Sequence, residues 1–416
     1  MTPPSIAEMA RVFGWIGLLS FGGPAAQIAL MERELVEERP WLEERSFLRA
    51  LSLCMLLPGP EAMQLATYCG WRLRGVPGGL LAGLLFVLPG AAIIACLVGL
   101  YAAYGDLPLV QSVFLGVKAA VVVIVLQALR NLARRALSGK TDYIIAGLGF
   151  VALFALNLPF PLIIATAACW GLLTARADPL PEPPHRPRAR PLRTVLTWSA
   201  IWLLPLIALS LGGQTLLAEI GWFFAKLAVV TFGGAYAVLA YMTQAVVQEH
   251  NWITTAQMID ALGLAETTPG PLILVTQFVA MLTGQIQGGA GLALVAGLVA
   301  LWATFAPCFL WIFLAAPYLD RIAAQPRLAA ALRAISAAVV GVILNLSIWF
   351  ALHVLFGTVT QQGSGVLRLP LPDPTSFNPR AAAMICTAMV VMWALKQGLG
   401  RTLAMLALAG AASHFV

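Results

Sequence analysis

Long apolar runs separated by short polar connections dominate the pattern of hydrophobic and polar positions along this chain. Two of these runs, residues 78–104 and 288–316, contain no charged side chain. A helix needs about 20 consecutive apolar residues to cross a bilayer, and both runs exceed that length. The regular alternation of apolar and polar residues that marks the strands of a transmembrane barrel is missing. The pattern therefore predicts an all-α, polytopic membrane protein.

The second half of the chain repeats the first. A shift of 211 residues places the SFGG of 20–23 on the TFGG of 231–234, and the PGP of 58–60 on that of 269–271. Farther along, the shift becomes 218, so an insertion of seven residues lies between the two aligned blocks. Paired GG and PGP motifs at one offset are not a chance event, and the pattern indicates an internal repeat.

The repeat divides the chain into four parts. These are an N-terminal transmembrane repeat, a Pro/Arg-rich linker, an extra connecting helix and a C-terminal transmembrane repeat, at residues 1–175, 176–193, 194–212 and 213–416. Proline and arginine keep the linker out of the bilayer, and its arginines predict that it lies in the cytoplasm.

The basic loops fall at opposite places in the two halves, after Arg130 in the first and around Arg321 in the second. Because positively charged loops stay in the cytoplasm, we predict repeats of inverted topology, and the extra helix supplies the odd crossing that inversion requires. Inverted repeats are common in secondary transporters, which bind substrate near the midplane. The number of crossings stays open between about thirteen and fewer with re-entrant hairpins. Both alternatives place the N-terminus in the cytoplasm and the C-terminus in the periplasm.

Glycine and proline interrupt four of the apolar segments at matched positions. Proline inside a helix costs about 3 kcal/mol, and the polar groups that a break frees must be satisfied within the hydrocarbon. A kink tolerated by packing is the alternative. The matched PGP motifs favour broken or re-entrant helices that meet near the midplane and line a polar cavity.

A half-helix that begins after such a break presents free N–H groups and the positive end of its dipole, which together form an anion site. Hydroxyl and amide side chains nearby can complete the coordination of a tetrahedral oxyanion. The candidate substrate-binding residues are Ser20, Gly22, Gly23, Pro24, Gln27, Pro58, Gly59, Pro60, Glu61, Gln64, Lys118, Lys226, Thr231, Gly233, Gly234, Thr268, Pro269, Gly270 and Pro271.

Charged residues inside apolar segments are costly and mark functional sites. Lys118 and Lys226 are candidate counter-charges for an anion, although both could instead extend toward a membrane interface. Glu61 and Glu266 are candidate proton-coupling residues, and neither aligns with an acidic residue of the other repeat.

The composition agrees with a protein embedded in lipid: 60% of the residues are hydrophobic and 10% are charged, and the mean hydropathy is +0.87. The net charge of +7 lies mainly in short loops, where it reports orientation rather than nucleic-acid binding. Six cysteines without a CxxC motif predict buried free thiols. Four histidines without ligand spacing predict no metal site. We predict no catalytic residue, no cofactor and no removable signal peptide.

Three segments, FGWIGLLSFGGPAAQIALM, LLPGPEAMQLATYCGWRLRG and GGLLAGLLFVLPG, resemble the chromate ion transporter family in its long-chain, two-domain form. The resemblance covers essentially the whole chain. It implies a bacterial inner-membrane protein that exports chromate, with sulfate as the structural analogue. The family motifs fall on residues 20–27 and 58–65. Met63 departs from the family pattern, and the second copy has Ala235 in place of proline.

The resemblance and the breaks together favour a secondary transporter that exports chromate, driven by the membrane potential, with proton coupling as a further hypothesis. The alternatives are a sulfate transporter, a passive oxyanion channel and, less favoured, a membrane-embedded reductase. A homodimer is left open. Because only the first copy has the proline and glutamine, we expect that half to hold the oxyanion more closely. A bulky residue at Gly23 should then impair transport more than one at Gly234.

Overall fold

The computed structural model describes residues 4–175, 191–232, 235–319, 322, 325–362 and 369–415. Fifteen helices account for most of these residues, and the strands among them form one antiparallel hairpin. The prediction of an all-α membrane protein is confirmed, with this hairpin as an addition. The polar segment after residue 356 forms it, pairing Val359 with Pro372.

Seven helices lie before the linker: α1 Ile6–Leu19, α2 Gly23–Glu32, α3 Glu44–Leu56, α4 Glu61–Tyr104, α5 Pro108–Ala136, α6 Lys140–Phe154 and α7 Phe160–Thr174. Eight lie after it: α8 Pro191–Leu211, α9 Thr215–Val230, α10 Ala235–Gln244, α11 Thr255–Thr267, α12 Val275–Ala315, α13 Pro326–Leu355, α14 Pro379–Met389 and α15 Leu399–Ala412. The strands are β1 Val359–Gln362 and β2 Leu369–Pro372. One π-helical turn extends each of α2, α10 and α14, at Arg33–Glu37, Ala245–Glu249 and Val390–Ala394.

Five helical segments of the described chain are long and apolar enough to cross a bilayer. They are Glu61–Tyr104, Pro108–Ala136, Pro191–Leu211, Leu272–Tyr318 and Pro326–Leu355. The chain is therefore a multi-pass membrane protein. The helices on either side of the first GG break, α1 with 14 residues and α2 with 10, are each shorter than the span of about 20 residues that a bilayer requires.

The two longest helices, α4 and α12, each bend at a glycine that the sequence analysis did not single out. Gly75 has a φ of +62° and Gly289 a φ of +75°, a left-handed conformation that glycine adopts without steric cost. Gly75 lies between the first PGP motif and the following apolar run, and Gly289 lies at the beginning of the run 288–316. Each bend therefore separates a short helical segment after the PGP motif from a longer one.

The chain forms two compact units, and each unit takes segments from both halves of the chain. The first unit comprises Met1–Gly99, Arg176–Ala235 and Thr268–Ala329, and the second comprises Leu100–Ala175, Tyr236–Thr267 and Ala330–Val416. The repeats of the sequence are thus not separate compact bodies. The predicted repeat boundaries, which describe the sequence rather than its compact units, stay a prediction.

In the first unit, α12 packs against α8 and α9, and the Trp202 indole N–H donates to the carbonyl of Ala303 at 3.1 Å. Gly17 lets α1 approach the backbone of α4 at Leu85 so closely that a Cβ would clash. In the second unit, α5 packs against α11, α14 and α15, and Gly116 makes the same kind of backbone contact with Leu406 of α15. Small residues at crossing points are typical of helix packing in membranes.

One prediction needs correction, whereas the bounds of the linker and of the extra helix stay a prediction. Within the described chain α8 covers Pro191–Leu211, and residues 176–190 lie outside it. Only half of the cysteines are buried, whereas Cys96, Cys169 and Cys386 are exposed. An apolar run does not imply burial inside the protein, because lipid is itself an apolar surrounding.

Asp142 stabilises the first turn of α6, outside the five candidate spans. Its carboxylate accepts hydrogen bonds from the backbone N–H groups of Ser138 and Gly139 at 3.1 and 2.9 Å. The Arg333 guanidinium of α13 donates to it at 2.7 Å. This guanidinium holds the pKa of Asp142 at about 2, below its ordinary value of 3.8.

We expect Asp142→Asn to lower the melting temperature of the detergent-solubilised protein by about 2–4 °C, the shift that corresponds to about 1 kcal/mol. Because the carboxyl pKa is lower in the folded state, the carboxylate stabilises the protein above pH ~4, and this contribution is lost as the pH falls toward about 2. Melting curves at neutral pH and below pH ~4 test this. The difference between wild type and variant should shrink in acid, and a constant difference would contradict the assignment.

Candidate functional site

All four predicted breaks fall at helix ends in the first unit. The first GG motif separates α1 from α2, and the first PGP motif separates α3 from α4. The second GG motif lies between α9 and α10, and the second PGP motif follows α11. Of the glycines, Gly22, Gly23, Gly59 and Gly270 have φ values of +89°, +80°, +122° and +92°. Gly233 and Gly234 lie outside the described residues.

The breaks bond crosswise between the two repeats. The backbone N–H of Gly270 donates to the carbonyl of Ser20, and the backbone N–H of Gly59 donates to the carbonyl of Thr231, both at 2.9 Å. The shift of 211 residues converts one bond into the other. Each GG break is therefore tied to the PGP break of the other repeat, which is the arrangement that a local two-fold relation produces. We call these four breaks the break cluster.

Two buried glutamines complete the break cluster. The Gln27 amide donates to the carbonyls of Ser20 and Gly270 at 3.1 and 2.7 Å, and the Gln64 amide donates to the carbonyl of Pro58 at 2.7 Å. Buried carbonyls at a broken helix need such donors. In this structure both glutamines hold the backbone of the breaks. Their predicted role as anion ligands stays a prediction.

The hydroxyl groups at the ends of α1 and α9 also donate hydrogen bonds to backbone carbonyls. Ser20 Oγ donates to the carbonyl of Ile16 at 2.5 Å, and Thr231 Oγ1 donates to the carbonyl of Leu227 at 2.6 Å. Both residues are buried, and they occupy equivalent positions in the two repeats. Their protons are used within their own helices, so their oxygens are left as hydrogen-bond acceptors. Thr268 in the second PGP break is buried as well.

The backbone at the helix starts offers further hydrogen-bond donors. Gly22 precedes α2 without a side-chain cap, and Pro24 occupies its first turn, where the missing proline N–H costs nothing. The space beyond Gly23 is open, with no heavy atom within 4 Å of the position of a Cβ. Half-buried Glu61 begins α4 directly after the first PGP motif. The first N–H groups of α2 and α4 lack partners within their helices and carry partial positive charge.

The predicted charged residues belong to both units of the chain. Lys226 of α9, in the first unit, is exposed, as expected for a side chain that reaches a membrane interface. Glu266 of α11, in the second unit, is buried and accepts a hydrogen bond from Tyr236 at 2.7 Å. Lys118 of α5, also in the second unit, lies 3.1 Å from Asp260. The sequence analysis missed Asp260, although a carboxylate within the apolar segment of α11 was a signal that could have identified it.

The model of the chromate transporter family matches residues 7–172 and 218–414, which is most of the chain. The chain belongs to the chromate transporter family. Members of this family are transport proteins, so the chain is a transport protein and not an enzyme. The two matched regions contain all four breaks, and the linker and α8 lie outside them.

Several relatives of this family match over most of their length. The chain is 29% identical over 381 residues to a probable chromate transport protein of Synechococcus elongatus, covering 89% of this chain and 92% of the relative. It is 30% identical over 354 residues to a chromate transport protein of Cupriavidus metallidurans, covering 82% and 81%. It is 30% identical over 357 residues to a chromate transport protein of Pseudomonas aeruginosa, covering 82% and 80%. No solved structure matches the chain significantly.

Proposed function

We propose that this protein is a secondary transporter that exports chromate, a tetrahedral dianion, across the bacterial inner membrane. Relatives that match over most of their length are named for chromate transport. The observation that carries the proposal is the break cluster, in which crosswise bonds bring Ser20 to Gly270 and Gly59 to Thr231. Broken helices whose ends meet inside a transporter commonly form its substrate site.

In this proposal the anion binds at the backbone N–H groups that begin α2 and α4. Such a site needs no side-chain cation, because the helix starts supply both hydrogen-bond donors and positive potential. Gly23 gives the ligand direct access to the backbone, since a side chain there would occupy the open space beside the first turn. Thr268 and Pro269–Pro271 form the equivalent part of the second repeat.

The membrane potential, negative inside, drives the anion outward. Each charge that crosses gains about 2.3 kcal/mol per 100 mV, so export of a dianion requires no ATP. The two repeats have inverted topology in this proposal, and rearrangement of the break cluster opens the site to one side and then to the other. The crosswise bonds are well placed for this role, because each joins one repeat to the other.

Proton coupling through Glu61 or Glu266 is the further part of the proposal. Glu266 is buried with Tyr236 as its hydrogen-bond donor, and Glu61 begins the half-helix at the first PGP break. Both carboxylates are therefore positioned to change charge during a transport cycle. A cycle that uses them responds to a pH gradient, and the Gln variants lose this response.

Uptake of labelled chromate and sulfate into proteoliposomes, with each anion competing against the other, tests the proposal. We expect saturable chromate uptake that follows an imposed potential and that accelerates when unlabelled chromate is present on the far side. Uptake that does not saturate and shows no such acceleration would identify a channel. Preference for sulfate would make sulfate the substrate in place of chromate, and transport of neither anion would refute the proposal. If the uptake rates of the wild type, Glu61→Gln and Glu266→Gln were all independent of a pH gradient, neither glutamate would take part in proton coupling.

A further inference from the structure

A buried ion pair with a tyrosine lies in the second unit and has no role in the site described above. Lys118 Nζ of α5 is 3.1 Å from Asp260 Oδ1 of α11. The hydroxyl of Tyr101, near the end of α4, donates to Asp260 Oδ2 at 2.9 Å. We call Lys118, Asp260 and Tyr101 the charge triad. It joins segments from both halves of the chain.

Lys118 lies deep within α5, whereas Tyr101 lies three residues before the end of α4. Lys118 is ten residues from the start of α5, about 15 Å along the helix axis, or half the thickness of a hydrocarbon core of about 30 Å. The Asp260 side chain is 2% exposed, whereas that of Lys118 is 15% exposed. The carboxylate is therefore sealed, while part of the Lys118 side chain stays exposed.

A buried ion pair is weak evidence for stability, because the cost of removing both charges from water offsets their attraction. The internal repeat does not explain the ion pair either, because the pair is absent from the equivalent positions. The positions equivalent to Lys118, Asp260 and Tyr101 in the other repeat are Ser336, Arg49 and Leu319, which cannot form the same pair. Ionisable residues retained within membrane segments without such a reason mark ion or proton pathways.

Few titratable groups surround Asp260 in the described chain. Lys118 faces it from α5 and Tyr101 from α4, and Asp106 of the following turn acts on Tyr101. On α11 itself, Glu266 lies six residues farther on and is bonded to Tyr236. Lys118 is thus the cation that balances Asp260. When Asp260 is ionised the two charges cancel, and when it is protonated the ammonium charge is uncompensated.

We propose that the charge triad is a proton-linked oxyanion site, in which protonation of Asp260 frees the Lys118 ammonium group to pair with the transported anion. This inference rests on the proposed function. Asp260 gains one proton and loses its charge, and the anion replaces the carboxylate as the partner of Lys118. Each anion bound is then accompanied by one proton. Loss of that proton restores the ion pair and displaces the anion.

Sulfate and chromate binding to the solubilised protein, measured across pH with the accompanying proton uptake, tests this inference. Sulfate stays a dianion throughout the useful range and is the reference probe. We expect wild-type binding to contain a component, in addition to any at the break cluster, whose affinity rises as the pH falls and which takes up one proton per anion. In Asp260→Asn this component should bind the anion without proton uptake and with little dependence on pH. In Lys118→Gln its affinity should fall at least tenfold, and Lys118→Arg should restore most of it.

Tyr101→Phe is the decisive variant, because it keeps both charges and the fold. It removes a hydrogen bond that favours the ionised carboxylate, so the midpoint of pH-dependent binding should move to higher pH by about one to two pH units. Tyr104→Phe, an exposed position three residues away, is the matched control and should leave the midpoint unchanged. An unchanged midpoint in Tyr101→Phe, or a wild type in which no component of anion binding takes up a proton, overturns the inference alone. A wild type that neither binds nor transports either anion overturns the proposed function as well.

Discussion

Replacing Gly59 with alanine is expected to reduce chromate transport at least tenfold. Gly59 has a φ of +122°, a conformation that an L-amino acid with a side chain rarely adopts. An added Cβ would also lie 2.8 Å from the Gln64 amide nitrogen and 3.0 Å from Cys308 Sγ. Because the Gly59 N–H donates to Thr231, the shift needed to relieve these contacts would break one of the two crosswise bonds.

Gly99→Ala is the matched control. Gly99 lies in the helical part of α4, with no heavy atom within 4 Å of an added Cβ, and alanine favours a helix over glycine by about 1 kcal/mol. Initial rates of chromate uptake, normalised to the reconstituted protein, should be near wild type for Gly99→Ala and at least tenfold lower for Gly59→Ala. Wild-type rates for both variants would show that the crosswise bond at Gly59 is dispensable.

A substitution at Gly23 is expected to impair transport for a different reason from one at Gly59. Its φ of +80° makes any side chain strained, but no atom lies near an added Cβ. A bulky residue there acts through backbone strain and by filling the open space beside α2, not by a clash. The comparison of Gly23 with Gly234 stays a prediction of the sequence, because Gly234 lies outside the described residues.

The positions of the breaks followed from the sequence, because the free-energy cost of proline and of paired glycines in a helix is local. Helix ends at Leu19, Leu56, Val230 and Thr267 agree with those motifs. The crosswise pairing of Ser20 with Gly270 could not be predicted in the same way. An offset identifies equivalent residues, but it does not say how two copies of a segment meet.

The bends at Gly75 and Gly289 had local signals that the sequence analysis did not use, because Pro77 follows Gly75 by two residues and Gly288 directly precedes Gly289. Other features depended on long-range contacts. Lys118 is recognisable in the sequence as an isolated charge in an apolar segment. Its partner, Asp260, lies 142 residues farther along the chain, and no local pattern connects the two. The glutamines show the same limit. Their location beside the breaks was apparent, whereas the carbonyls that they satisfy became apparent only from the fold.

Replacing Gln27 with methionine should impair transport at least tenfold by loosening the break cluster. Methionine fills a similar volume but cannot donate to the carbonyls of Ser20 and Gly270, which the Gln27 amide now joins. Ser20 keeps the N–H of Gly270 as a donor. The expected cost is therefore about 1–3 kcal/mol, the range for one buried group that loses its partner.

The kinetic pattern separates this role from that of an anion ligand. A residue that holds the backbone should lower both the melting temperature and the maximal transport rate, with a small change in KM for chromate. A residue that binds the anion should raise KM and leave the melting temperature unchanged. Gln287→Met, at an exposed position of α12, should change none of these quantities. If Gln27→Met raised the KM for chromate and left the melting temperature unchanged, Gln27 would be an anion ligand. The contact between Ser20 and Gly270 would then be stable without the Gln27 amide.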